Sequence, residues 1–203
     1  MPHNSSSIKH TPLATKDLNG LVLAGGFSQR MQQDKALLCY YKKPQYVHVY
    51  HLLSPFCNQV FISCKSEKNY PLACIFDSDN YLSMGPIAGL LSAFDYSHTA
   101  WLVVAIDYPL FSTAEIEKLL NERDNYYLAT VYCHSESDFF EPYLAIYEKD
   151  FLTVLKEEIT KGNYSLQQIL KNNHVKKVFP TKEESITSVD TIEDFNKIYH
   201  AIH

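Results

Sequence analysis

The chain has 203 residues, 46% of them apolar, and a formal net charge of −5. That length suits one domain whose core holds without disulfides or a structural metal. The acidic balance argues against a nucleic-acid partner, whose surface would need clustered Lys and Arg.

The five cysteines, Cys39, Cys57, Cys64, Cys74 and Cys133, are odd in number and lack CxxC spacing, so neither a disulfide framework nor a zinc site is expected. No apolar run reaches the roughly 18 residues of a membrane span, and the N-terminal residues lack a secretory apolar region. The expected location is therefore cytoplasmic, without a membrane partner. Residues 1–18 are polar and rich in Ser, His and Thr, and read as a flexible tail; residues 19–203 read as a single domain.

Leu21 to Ala24 reads as a buried strand that runs into Gly25 and Gly26, followed by Ser28, Arg30, Asp34 and Lys35. Adjacent glycines allow positive φ and close approach of a ligand to the main chain, whose N–H groups then form an anion-binding concavity. Arg30 adds a planar fork and Lys35 a point charge, a pairing suited to polyphosphate. A plain Gly-Gly loop followed by a solvated charged segment fits the same letters. Neither a GK[ST] ending nor a GxGxxG spacing is present.

Ala36 to Tyr41 reads as a short strand or an extended continuation of that loop. Tyr46 to Leu53 has helical spacing, and Gln59 to Cys64 and Leu72 to Phe76 read as strands, the second ending at Asp77. Gly85 and Pro86 open a helix with Ile87, Leu90, Leu91 and Phe94 on one face, and Gly89 inside it suggests close packing. Trp101 to Ile106 is the most apolar strand, buried on both faces and central, and it stops at Asp107. A helix follows from Ser112 or Thr113. Tyr126 to Tyr132 and Tyr143 to Tyr147 read as strands around a polar loop through Pro142. Helices over 149–158 and 165–170, a strand over 175–179, and a terminal helix capped by Asp190 or Thr191 complete the chain.

Strands alternating with helices predict a three-layer α/β/α domain with a mostly parallel sheet. The glycine loop, Asp77 and Asp107 then lie at carboxyl ends of strands and share one crevice. For Asp77 and Asp107 a turn role is the competing reading. His48, His51 and His134 read as surface or packing residues.

The segments LAGGFSQRMQQDKALL, GPIAGLLSAF, WLVVAIDYPLF and VDTIEDF together resemble the nucleotidyltransferase family that includes molybdenum cofactor guanylyltransferase. The pattern is LAGG at 23–26, SxRM at 28–31, DK at 34–35, GPIAG at 85–89, an acid-x-Pro at 107–109 and VDT at 189–191. It runs in order from about Leu21 to the C-terminus. The resemblance implies a Rossmann-like mixed sheet of the nucleotide-diphospho-sugar-transferase type, with 19–203 as one nucleotidyltransferase domain. It implies that the phosphate of molybdopterin (or the molybdenum cofactor) attacks the α-phosphate of GTP with Mg²⁺ present. Molybdopterin-carrying proteins and molybdoenzymes enter as further partners by the same resemblance.

On the same basis Leu23, Ala24, Gly25 and Gly26 contact the nucleotide, Arg30 and Lys35 hold phosphates, Asp77 reads the guanine edge and Asp107 ligates Mg²⁺. Asp190, where the family has Asn, is either a second metal carboxylate or a helix cap. The chain also departs from the family with Gln32 for Gly, Ala105-Ile106 for Pro-Cys and Ser63 for Asn. Two other readings share these residues: transfer from CTP or to another phosphorylated acceptor, and a nucleotide-binding module without turnover.

Overall fold

The computed structural model describes residues 17–24, 34–65 and 70–203. Seven strands form one sheet: β1 (Leu18–Leu23), β2 (Val60–Cys64), β3 (Cys74–Phe76), β4 (Ala100–Ala105), β5 (Ala129–Cys133), β6 (Phe140–Tyr147) and β7 (Val175–Val178). Their order is β3-β2-β1-β4-β6-β5-β7. β1 to β4 pair in parallel, β6 is antiparallel to both β4 and β5, and β5 is parallel to β7. Six strands therefore run one way, and their carboxyl ends share one edge. Every residue of β1, β2, β4 and β5 is buried, so helices cover both faces of this sheet.

The covering helices are α1 (Gln45–Leu53), α2 (Ile87–Tyr96), α3 (Thr113–Glu122), α4 (Phe151–Thr160), α5 (Leu166–Lys171) and α6 (Ile192–Ile202). Within the core Trp101, Tyr132, Tyr147, Phe94 and Phe151 are nearly or fully enclosed. β4 is central, as its unbroken apolar run predicts. Among the described residues no helix is long and apolar enough to cross a membrane.

Several boundaries differ from the sequence reading. Residues 1–16 lie outside the described residues, but Leu18, which the sequence reading leaves at the end of the tail, is the fully buried first residue of β1. β6 begins at Phe140, so Glu141 and Pro142 belong to a strand rather than to the preceding loop. Proline has no ladder N–H, which argues against a central strand. The register shifts between Val131 and Tyr132, where Val131 faces Ala145 but Tyr132 faces Glu141. Pro142 sits in the resulting bulge, and its carbonyl accepts the Tyr147 hydroxyl at 2.6 Å.

Ala36 to Tyr41 is not a strand: a 3₁₀ turn over Lys35–Leu37 passes into extended chain at Leu38. Its side chains Leu38 and Tyr40 form a second small core with Phe195, Ile198 and Ile202 of α6, the Tyr40 and Phe195 rings standing 4.9 Å apart. α6 is capped by Thr191 and not by Asp190. The Thr191 hydroxyl accepts from Asp194 N while Asp194 reaches back to the Thr191 amide, a reciprocal capping box. Asp190 is thereby left to act outside the helix.

Thr191→Ala is expected to cost about 1 kcal/mol of stability, the usual loss for an N-cap hydroxyl. A lower urea midpoint with an unchanged slope would register it.

Candidate functional site

Asp34 Oδ1 accepts from Ala36 N at 3.1 Å and fixes the turn that starts at Lys35. The Lys35 ammonium lies 3.2 Å from Asp107 Oδ1 and 2.9 Å from Asp190 Oδ1. Three segments far apart in sequence thus meet on one cation. Backbone and hydroxyl bonds hold them there: Val189 N donates to Asp107 O at 2.8 Å, and the Tyr41 hydroxyl donates to Pro109 O at 2.9 Å. The small core between residues 38–41 and α6 keeps Lys35 and Asp190 on the same side of the sheet edge.

The Lys35 side chain is 14% exposed, Asp107 35% and Asp190 54%, so the cluster opens towards solvent through Asp190. Burial pushes the Asp107 carboxyl above its ordinary range; Lys35 opposes this and the neighbouring Asp190 charge adds to it. Two carboxylates in one place repel unless a cation lies between them. Lys35 supplies that cation here.

Among the described residues no group of three or more His, Cys, Asp or Glu converges as a ready metal cage. A pair of carboxylates suits Mg²⁺, which takes one or two acids and completes its shell with phosphate oxygens and water. Asp107 and Asp190 fit that requirement.

Asp77 follows β3, three strands from β4, so at ordinary strand spacing it stands about 14 Å along the edge from Asp107. Its Oδ1 accepts from Ser63 Oγ at 2.9 Å. Burial raises the Asp77 carboxyl, while the Ser63 bond and Lys65 act the other way. Gly89 of α2 packs directly on this pair: a Cβ there would overlap Ser63 Oγ and lie 2.9 Å from Leu23 Cδ2. The close packing expected at Gly89 is thus against the strand residue that holds Asp77. Next to it the Ser92 hydroxyl accepts from Ser78 N at 2.9 Å.

Leu23 ends β1 and Ala24 follows it, between the two acids and nearer Asp107. Ala24 N donates to Ser63 O at 3.2 Å and Leu23 O accepts from Ile106 N at 3.3 Å, so these backbone groups already extend the sheet ladder. Gly25, Gly26, Arg30 and Gln32 lie outside the described residues. Of the residues singled out in the sequence, Lys35, Asp107 and Asp190 meet directly, and Asp77 lies at the far end of the same edge.

The sequence reading missed Tyr41, whose contact is visible only in three dimensions. It also left His134 as a surface or packing residue. His134 is instead bonded on both ring nitrogens, Nε2 to Glu141 Oε1 at 2.7 Å and Nδ1 to Glu183 Oε2 at 2.9 Å. Its partners are 7 and 49 residues away, so no local spacing betrays the cluster.

The strand order, the single reversed strand and a carboxyl-end edge carrying a Lys-bridged acid pair define an α/β protein of the NTP-transferase type. Residues 20–178 match the family model described as MobA-like NTP transferase domain, and the chain belongs to that family. It is 29% identical over 95% of its length to a molybdenum cofactor biosynthesis bifunctional protein of Synechocystis, of which it spans 55%. It is 32% identical to a molybdenum cofactor guanylyltransferase of Pseudomonas entomophila, with 74% of this chain and 80% of the relative aligned. Its fold resembles that of molybdopterin-guanine dinucleotide biosynthesis protein A from Archaeoglobus fulgidus, with a TM-score of 0.74 over 90% of this chain and 97% of that one, at 24% identity. Nucleotidyltransferases of this kind generally use a divalent metal.

Gly89→Ala is expected to force the Ser63 hydroxyl off Asp77 and to destabilise the fold by about 1–3 kcal/mol, the usual range for overpacking. Chemical denaturation measures the loss.

Proposed function

We propose that the protein transfers GMP from GTP to molybdopterin, releasing pyrophosphate and forming the guanine dinucleotide form of the cofactor. The observation that carries this reading is the Lys35 ammonium held between Asp107 and Asp190 at the carboxyl edge of the sheet. The names of the relatives supply the substrates.

The nucleotide lies along the edge, its base towards Asp77 and its phosphates towards Lys35. The Asp77 carboxylate, its position set by Ser63, accepts hydrogen bonds from the N1 and N2 donors of guanine. Asp107 and Asp190 would hold Mg²⁺, which when bound would neutralise charge on the phosphate oxygens. Lys35 leaves the acid pair for the phosphates, keeping positive charge beside the reacting centre.

Arg30 and the N–H groups near Gly25 and Gly26 complete the phosphate contacts on the strength of the family motif. A phosphate oxygen of molybdopterin forms the new bond to the α-phosphorus of GTP as the bond from that phosphorus to the bridging oxygen breaks, and the electron pair leaves with pyrophosphate. No side-chain nucleophile takes part. Phosphoryl-group chemistry of this type depends on positioning and charge stabilisation.

Lys35→Ala, which removes a transition-state donor, and Asp107→Ala, which removes a metal ligand, are each expected to lower turnover by about 10²-fold or more. Near-normal transfer by either variant removes that residue from the mechanism. Offering each NTP with Mg²⁺ and molybdopterin tests the substrate choice through pyrophosphate release. Selective use of GTP is expected, and a preference for CTP would contradict the guanine assignment.

A further inference from the structure

The segments that carry Asp107 and Asp190 are tied to a second polar cluster beneath the site. Tyr108, next in sequence to Asp107, is buried and donates its hydroxyl to Glu141 Oε2 at 2.5 Å. The other oxygen of Glu141 meets His134 Nε2 at 2.7 Å. His134 Nδ1 reaches Glu183 Oε2 at 2.9 Å, and Ser135 bonds the remaining oxygen of Glu183 through its amide and hydroxyl. Glu183 opens the 3₁₀ turn Glu183–Ile186, which leads through Val189 to Asp190. One imidazole therefore joins the chain on either side of the acid pair.

The geometry fixes the charge of that imidazole. Both nitrogens face carboxylate oxygens, and a neutral ring has one N–H and one lone pair, so one contact would set lone pair against lone pair. With both nitrogens protonated, each contact becomes a charge-assisted hydrogen bond.

The charged groups around the ring are Glu141 from β6 and Glu183 from the turn, while Lys177 on β7 is engaged by Asp138 at 2.6 Å. Burial works against the cation, yet the bonds to Glu141 and Glu183 prevail and raise its pKa from 6.5. A second anchor holds the same turn without His134: Thr181 N and Ser185 Oγ both donate to buried Glu115 Oε1 at 3.1 Å. Loss of the imidazolium thus loosens the turn without releasing it.

We propose that His134, as an imidazolium, is a positioning residue that locks the Asp107 and Asp190 segments together. Its direct structural readout is the Val189 N–H to Asp107 O bond that joins them. The folded pKa lies above the unfolded one, so the lock is complete below about 6.5 and is lost as pH rises through the folded value. The importance of the lock for turnover rests on the proposed function; the lock itself does not.

The test follows the His134 ring by NMR titration and Val189 amide exchange, corrected for intrinsic rates, over the same pH range. Val189 protection is expected to fall roughly ten-fold through the midpoint of the His134 titration, as for loss of one charge-assisted bond. The kcat for pyrophosphate release is expected to fall with the same midpoint, with little change in KM for GTP. His134→Gln is expected to exchange at the high-pH rate throughout and to lose this step in its pH profile. A His134 pKa at or below 6.5, or Val189 protection that stays flat through the titration, would overturn the proposal. The same Val189 step persisting in His134→Gln would also overturn it. If that variant does not fold, the two wild-type titrations decide alone. Absence of pyrophosphate release from GTP at every pH would defeat the functional reading while leaving the exchange result decisive here.

Discussion

Two carboxylates and one ammonium, brought from three distant parts of the chain, set the constraint on which this site depends. Asp107 follows the end of β4, a strand buried along its whole length, and cannot move far without disturbing the core. Asp190 stands between a 3₁₀ turn and the capped start of α6. Lys35 joins them from a turn that itself leans on α6 through Leu38 and Tyr40. Burial disfavours ionised Asp107, and the nearby Asp190 charge increases the cost. The ammonium makes the pair tolerable in the free protein, and a divalent cation carries twice the charge for the same task. On the proposed function, the two cations would exchange at this pair.

The sheet gives the site its length. With β3, β2, β1 and β4 adjacent and parallel, the residues after each strand form a row, and Asp77 and Asp107 mark its ends. The spacing of about 14 Å suits an extended nucleotide with a base at one end and phosphates at the other. The two ends differ in chemistry. Asp77 is held by one hydroxyl and packed under Gly89, an arrangement that fixes the direction of an acceptor. Asp107 shares one ammonium with a second carboxylate, an arrangement that suits a cation. The reversed strand β6 then brings Glu141 to the Asp107 end, where it anchors Tyr108 and His134.

Much of this was legible in the letters because strong local signals agreed with the global arrangement. The run Trp101 to Ile106 has no polar alternation, so both its burial and its central place follow directly. Gly89 inside an amphipathic helix announces close packing. The parts that were not legible depend on partners distant in sequence. Pro142 argued for a loop, and only the register shift against β5 makes it compatible with a central strand. Asp190 and Thr191 are both good caps, and it is the reciprocal bond with Asp194 that decides for Thr191. His134 carries no motif at all; its role emerges when Glu141 and Glu183 close around it.

The central claim is that the Lys35-bridged acid pair becomes the metal site while Lys35 passes to the nucleotide. A crystal structure with GTP and Mn²⁺, using the anomalous signal of manganese, tests it most directly. The account requires a manganese peak shared by Asp107 and Asp190, with the Lys35 ammonium moved onto phosphate oxygens and guanine within hydrogen-bonding reach of Asp77. Manganese bound elsewhere, with Lys35 still bridging the two carboxylates, would contradict it.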